Sequence, residues 1–221
     1  MQSEIRGGLR RAFDVRRERG MILYLLIIFG CSLVISASVA LWSGESFLLL
    51  FGLVMIGVVF EILVDGLVAT IARLLPARCA DHTKRVYHVS AQEKKFYEKL
   101  KIRMWKDKIP EIGHFTGFRK NKLVEPQSVE YVNRFLLESC YGEIGHFFSL
   151  FFGFAVLLLY PLSDVWFALA IPVAIVNFFL NLPSLLVLRY NSYKLVVLKK
   201  SLLKKQQRAK KLEEGIETIE K

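Results

Sequence analysis

Residues 21–73, MILYLLIIFGCSLVISASVALWSGESFLLLFGLVMIGVVFEILVDGLVATIAR, hold two long apolar runs parted by one short break, WSGE (42–45). The first run, Met21 to Trp42, carries no charge; the second, Ser46 to Ala72, contains Glu61 and Asp65. A bilayer core takes roughly 20 apolar helical residues, so each run is long enough to cross. A break this short predicts that the two helices fold back on one another as a hairpin.

The pattern recurs downstream. Ile144–Tyr160 and Val165–Leu188 are apolar and are parted by YPLSD (160–164). The third run is short, and the fourth carries Pro172, Asn177, Asn181 and Pro183. Lengths of about 17 to 27 residues are accommodated by tilt or local thinning of the bilayer. The expected fold is all-α and integral to the membrane: four transmembrane helices in two hairpins, with an amphipathic cytoplasmic segment between them. The expected parts are a basic arm (1–20), a first hairpin (21–72), a basic segment (73–143), a second hairpin (144–188) and a basic tail (189–221). An alternative reading of the first run is a signal peptide, since SASVA (36–40) offers small residues at plausible cleavage positions.

Composition agrees. The 221 residues are 53% hydrophobic with a formal charge of +11, and mean hydropathy is +0.37. A soluble domain hides its apolar residues behind a mixed-charge surface; this balance fits a small membrane protein with basic flanks. Cys31, Cys79 and Cys140 have neither CxxC spacing nor a disulfide framework, so free thiols are expected. The 31 Lys and Arg fall in three places: six in 1–20, fifteen in 73–134 and ten in 189–221. By the positive-inside rule both termini and the central segment are expected to be cytoplasmic. That topology accounts for the charge, and no zinc-finger, RRM or helix-turn-helix pattern points to nucleic acid.

SAQEKKFYEKLKIRMWKDKIP (90–110) begins with Ser90 and Glu93 at capping-box spacing and stops at Pro110. Phe96, Tyr97, Leu100, Met104 and Trp105 share one stripe of such a helix, flanked by lysines and arginines. The stripe predicts either a helix lying among lipid headgroups or one packed on other cytoplasmic segments. The tail from Lys199 is expected to continue the fourth helix and then fray.

Polar residues inside the apolar runs are the candidates for function. Glu61 and Asp65 are four apart on one helical face, as are Asn177 and Asn181. Asp65 lies eight residues before Arg73, and Asn181 eight before Arg189. At 1.5 Å per residue both sit roughly 12 Å from the inner boundary, with Glu61 and Asn177 roughly 18 Å from it. The pairs are therefore level if the helices are neighbours. Ionisable groups in a span face a bundle interior or a wet cavity, and Pro183 frees the carbonyl of Phe179. A polar cavity is one reading; a structural Glu/Asp–Asn network is the other.

ESCYGEIGHFF (138–148) brings Glu138, Glu143 and His146 to the mouth of the third run. Glu143 and His146 are three apart, so the carboxylate is expected to orient the imidazole as a general base. Glu-x-x-His is also a metal-ligand spacing in helical bundles, but those sites need the unit twice and one copy exists here, so no metal site is assigned. His146 as a plain interfacial residue is the third possibility. His114 is a second candidate base; His82 and His88 read as loop residues.

Three stretches in order, FYEKLKIRMWKDKIPEIG (96–113), FRKNKL to ESCYGEIGHFF (118–148) and NLPSLLVLRYNSYKL (181–195), resemble the glycosyl-4,4'-diaponeurosporenoate acyltransferase family of small membrane enzymes. The matching positions are Trp105, Lys106, Pro110 and Glu111; Glu138, Glu143 and His146; and Asn181, Leu182, Arg189, Tyr190 and Asn191. RYNSYK departs from the family by lacking a second arginine. The resemblance implies transfer of a fatty acyl group to a hydroxyl of a glycolipid or other lipidic acceptor, within carotenoid biosynthesis, with no cofactor and acyl-CoA as co-substrate. On it we expect His146, Glu143 and Glu138 in catalysis, and Asn181 or Arg189 at the oxyanion. Trp105, Lys106 and Lys108 are expected to dock the donor, with Glu61, Asp65, Asn177 and Asn191 lining the substrate site. Expected partners are membrane lipids and an oligomeric or membrane-protein neighbour. The competing readings are a non-enzymatic four-helix subunit of a transporter or other complex, and a metal-dependent enzyme acting on other lipids.

Overall fold

The computed structural model describes residues 2–109 and 126–219, with side chains at the two ends from residue 20 and as far as residue 212 and Glu214. Pro110, Glu111 and His114 lie outside the described residues. Among those described there is no strand. The described residues form six α-helices: α1 (Gln2–Ser43), α2 (Phe47–Leu74), α3 (Ala91–Lys99), α4 (Ile102–Trp105), α5 (Val129–Phe152) and α6 (Trp166–Ile219). Four helical stretches among them are long and apolar enough to span a membrane: Gly20–Ser43, Phe47–Leu74, Val129–Leu162 and Trp166–Leu212. Their outward residues are apolar, among them Leu25, Leu48, Leu63, Leu67 and Phe151. In water such a surface would be an aggregation liability; against lipid tails it carries no penalty. This is a multi-pass membrane protein.

The WSGE break works through Gly44. Its φ of +75° is open to glycine and strained for other residues. Its N–H reaches back to the Ala40 carbonyl at 3.0 Å, closing α1 and turning the chain into α2.

The third span differs from the expectation. Its helix starts at Val129, where the Ser128 hydroxyl accepts the Tyr131 N–H at 3.1 Å, so the helix carrying Glu143 and His146 begins well before the expected Ile144 and takes in Glu138 as well. At Gly153 the α-helix tightens into a ten-residue 3₁₀ stretch, Gly153–Leu162. A 3₁₀ residue rises about 2.0 Å against 1.5 Å, which lengthens Ile144–Tyr160 from about 25 to about 30 Å. The short run thus reaches across a hydrocarbon core. Gly153 also makes room: a Cβ there would lie 2.6 Å from Asn177 Nδ2 and 2.8 Å from Glu61 Oε2.

The amphipathic stripe is broken. Ser90 caps α3 as expected, its hydroxyl accepting the Glu93 N–H at 3.1 Å. The helix then stops at Lys101, whose φ of +52° is left-handed, and α4 restarts on a new axis. Tyr97 turns inward and is buried with the unanticipated Ile102, while Phe96 and Met104 point outward at 53% and 73% exposure. With Val89, Ile109, Val187 and Tyr190, those two inward residues seat the 89–109 segment on α6.

The α6 helix runs unbroken through Pro172 and Pro183. Its 54 residues measure roughly 80 Å, well beyond one bilayer, so much of it leaves the membrane. Val54, Val156, Leu169 and Val173 close one end of the bundle around Trp166, whose indole N–H is satisfied by the Val156 carbonyl at 3.0 Å. At the other end Val132, Phe135 and Leu136 pack against Leu195 and Leu202. The polar residues occupy the length between these cores.

Candidate functional site

Close packing brings the polar faces together. A Cβ on Gly145 would lie only 3.7 Å from Ala69 Cα, so α5 and α2 meet nearly backbone to backbone. Glu143 and His146, three apart on α5, face Arg189, Ser192 and Asn181 of α6. They form two tiers.

The inner tier joins three helices. Asn181 Nδ2 donates to Asp65 Oδ2 at 2.9 Å and to Asn177 Oδ1 at 3.1 Å. Its Oδ1 lies 2.9 Å from His146 Nδ1. Asp65 and Asn181, expected to be level, therefore meet directly. The network fixes which way the amide points. The Asn177 oxygen can only accept, and so can an ionised Asp65, so the NH₂ of Asn181 must face them. Its carbonyl then faces the imidazole, Nδ1 must be the protonated nitrogen, and the lone pair falls on Nε2.

The outer tier is an ion-pair cluster. Arg189 Nε donates to Glu93 Oε1 at 2.6 Å and Nη2 to Glu93 Oε2 at 3.1 Å, a bidentate grip. Nη1 donates to Glu143 Oε2 and to the Val86 carbonyl, both at 3.1 Å. The other Glu143 oxygen accepts from Ser192 Oγ at 2.8 Å. Tyr97 donates its hydroxyl to Glu93 and receives Arg189 Nε. Burial raises the Glu93 carboxyl, but the Arg189 and Tyr97 hydrogen bonds with the Arg189 charge outweigh it and hold the group below its ordinary value. The Tyr97 phenol is pushed up by burial and by its bond to Glu93.

The expected site residues take up these contacts. Glu143, expected to orient His146, gives its two oxygens to Arg189 and Ser192; the atom set against His146 Nδ1 is Asn181 Oδ1. Arg189, expected at the oxyanion, directs its donors into two carboxylates, a phenol and a backbone carbonyl, and the Asn181 NH₂ is likewise taken up. Glu138 Oε2 lies 4.0 Å from Arg73 Nε. Glu61 is 4% exposed, and among the described residues neither of its oxygens accepts a hydrogen bond. Asn191 is buried on α6. Trp105 donates its indole N–H to the Leu100 carbonyl at 2.9 Å; Lys106 is half-buried and Lys108 exposed. Cys140, with Cys31 and Cys79, is a free thiol as expected, but at 1% exposure it is closed to a substrate. No group of three or more His, Cys, Asp or Glu among the described residues is arranged to hold a metal ion.

Three members of the outer tier escaped the sequence reading. Glu93 was assigned to a helix cap, Tyr97 to an apolar stripe, and Ser192 carried no signal beyond its place three residues after Arg189.

The sequence profile of the glycosyl-4,4'-diaponeurosporenoate acyltransferase family matches residues 82–201, more than half of the chain. The chain belongs to that family. It is therefore a membrane member of an acyltransferase family of carotenoid biosynthesis. The matched region holds both glutamates of the outer tier, His146 and the whole polar face of α6, while Glu61 and Asp65 lie outside it. No curated protein and no solved structure matches the chain.

Proposed function

We propose that this acyltransferase moves a fatty acyl group from a cytoplasmic-side acyl-CoA to a hydroxyl of a glycolipid or other lipidic acceptor, with His146 as general base. The observation that carries the reading is the Asp65–Asn181–His146 chain, which sets the imidazole in one tautomer inside a membrane bundle. In this reading the basic flanks place both termini in the cytoplasm, the spans pair as two hairpins, and the outer tier marks the cytoplasmic mouth.

Nε2 takes the acceptor's hydroxyl proton as its oxygen attacks the thioester carbonyl. The tetrahedral intermediate collapses with expulsion of the CoA thiolate, which receives the proton from the imidazolium. The product is an ester and free CoA. Exposed Lys108 and half-exposed Lys106, next to Trp105, suit the phosphates of the donor's nucleotide. Arg189 braces the mouth rather than touching the oxyanion.

The test compares lipid extracts of a bacterial host making wild type or His146→Ala at equal levels, read by mass spectrometry. Wild type yields a species heavier by one fatty acyl residue. The variant lowers its rate of formation by about 10²- to 10⁴-fold, the usual span for a lost general base. Equal product from both proteins, or none from wild type with candidate glycolipids supplied, overturns the reading.

A further inference from the structure

The segment 89–109 crosses the end of the bundle at a depth that its contacts fix. Val89, Tyr97, Ile102 and Ile109 bury themselves with Val187 and Tyr190, and Tyr24, Trp105 and Leu186 pack on the same cluster. Tyr24 stands near the start of the first span. Leu186 and Val187 are among the last apolar residues before Arg189, the side chain that grips Glu93 of α3. The two short helices α3 and α4 therefore lie where the chain passes from hydrocarbon to lipid headgroups.

The side of the segment turned away from the bundle is unlike a water-facing surface. Phe96, Leu100 and Met104 are 53%, 40% and 73% exposed. Each follows an exposed base, Lys95, Lys99 or Arg103, and Lys101 at the break is exposed as well. The two acids of α3 are already engaged, Glu93 by Arg189 and Glu98 by Lys94 at 3.3 Å. No acid of either helix is left to balance the four cations. Solvation accounts for exposed lysines, but not for three large apolar side chains set among them. Apolar side chains at the acyl boundary with cations reaching phosphates is the arrangement of a helix lying on a bilayer.

We propose that this outward face of α3 and α4 docks on an anionic leaflet surface at the Arg189 end of the bundle. Phe96, Leu100 and Met104 enter the acyl boundary, while Lys95, Lys99, Lys101 and Arg103 meet the phosphates of acidic lipids. The face differs from the stripe legible in the sequence, because Tyr97 turns inward and the helix breaks at Lys101. Helix α3 is then held from two sides: Arg189 grips Glu93 and Tyr97 from within, and the leaflet holds the outer row. An acidic protein could match the cations, but at this depth it would have to displace the lipid already there. Lipid contact at these positions is independent of the acyl-transfer reading.

The photoactivatable residue p-benzoylphenylalanine replaces Phe96, Met104 or, for comparison, Leu212 in the full-length protein. Leu212 is 69% exposed on α6, roughly 35 Å past Arg189 along the helix. Each protein is reconstituted in phosphatidylethanolamine vesicles with phosphatidylglycerol as the minor lipid, irradiated, and its adducts are read by mass spectrometry. Labels in place of Phe96 and Met104 capture phospholipid, and the label in place of Leu212 does not. Phosphatidylglycerol appears about fivefold above its share of the bilayer, the worth of one basic side chain near an anionic surface. Lys95→Gln, Lys99→Gln and Arg103→Gln together return it to that share while lipid capture persists. All of these side chains point outward, so thermal midpoints in detergent stay at the wild-type value. Lipid capture no greater than at Leu212 overturns the proposal, as does capture of a protein segment in place of lipid. So does a phosphatidylglycerol share that starts at the bulk value or survives the triple substitution, or a triple variant that no longer folds.

Discussion

The two polar tiers are built from the same residue types and do opposite work. In the outer tier one guanidinium is saturated: Arg189 holds Glu93, Glu143, Tyr97 and the Val86 carbonyl, tying α3, α5, α6 and the 85–87 turn into a single knot. In the inner tier the links are an amide and an imidazole, a ring that can carry its proton on either nitrogen. A cluster of fully paired charges resists change; a chain ending in a titratable nitrogen permits it. The outer tier is a brace, and in our proposal the inner tier is where chemistry happens. Mutations should separate the two cleanly.

The largest separation comes from Arg189. Arg189→Ala leaves Glu143, at 3% exposure, as a buried carboxylate without its cation. Breaking such a pair from one side costs about 3 to 5 kcal/mol. The expected result is a fall in the thermal midpoint in detergent and poor recovery of folded protein. Arg189→Lys is intermediate, since a point charge cannot grip Glu93 with two bonds while reaching Glu143. If Arg189→Ala folds as well as wild type yet loses activity, Arg189 belongs with the substrate and the brace assignment fails.

Asp65 probes the inner tier. Asp65→Asn removes a carboxylate from the far side of Asn181, while the Asn177 oxygen still orients the amide. Folding should change little and kcat should fall about tenfold. A fall in kcat with folded protein retained places Asp65 in the chain that serves His146. An unchanged kcat would mean Asp65 acts only in packing.

How much of this was legible in the sequence depends on which force decides each feature. Four apolar stretches were visible because lipid demands long uninterrupted hydrophobicity. The register of Asp65 against Asn181 followed from counting back to the first arginine, since both helices leave the membrane at similar depth. The start of α5 at Val129 was missed because its first turns are polar and are held by α6, a tertiary decision. The 3₁₀ stretch at Gly153 answers a contact with Glu61 and Asn177 on two other helices, which no local pattern records. Partner choice was hardest. Glu143 and His146 are neighbours in sequence and the spacing allows a bond, but Arg189 and Ser192 offer Glu143 a charge and a hydroxyl, and they win. The single helix expected over 90–110 broke at Lys101 because Tyr97 and Ile102 both needed to reach the same core on α6.

The smallest effect lies in the brace's response to acid. The Glu93 carboxyl sits below its ordinary value of 4.5, so the folded state holds its charged form more strongly than the unfolded chain does. The stability this supplies is fully present above that value. It is lost as pH falls through 4.5 toward the lower folded-state value, where protonation releases Arg189 and Tyr97. Thermal midpoints of wild type should therefore decline across that acid window, and those of Glu93→Gln should start lower and decline less steeply. The inner tier contributes nothing to that difference, because Asp65 and His146 are unchanged in the variant. Parallel declines for the two proteins would mean that Glu93 is not the acid-sensitive member of the knot.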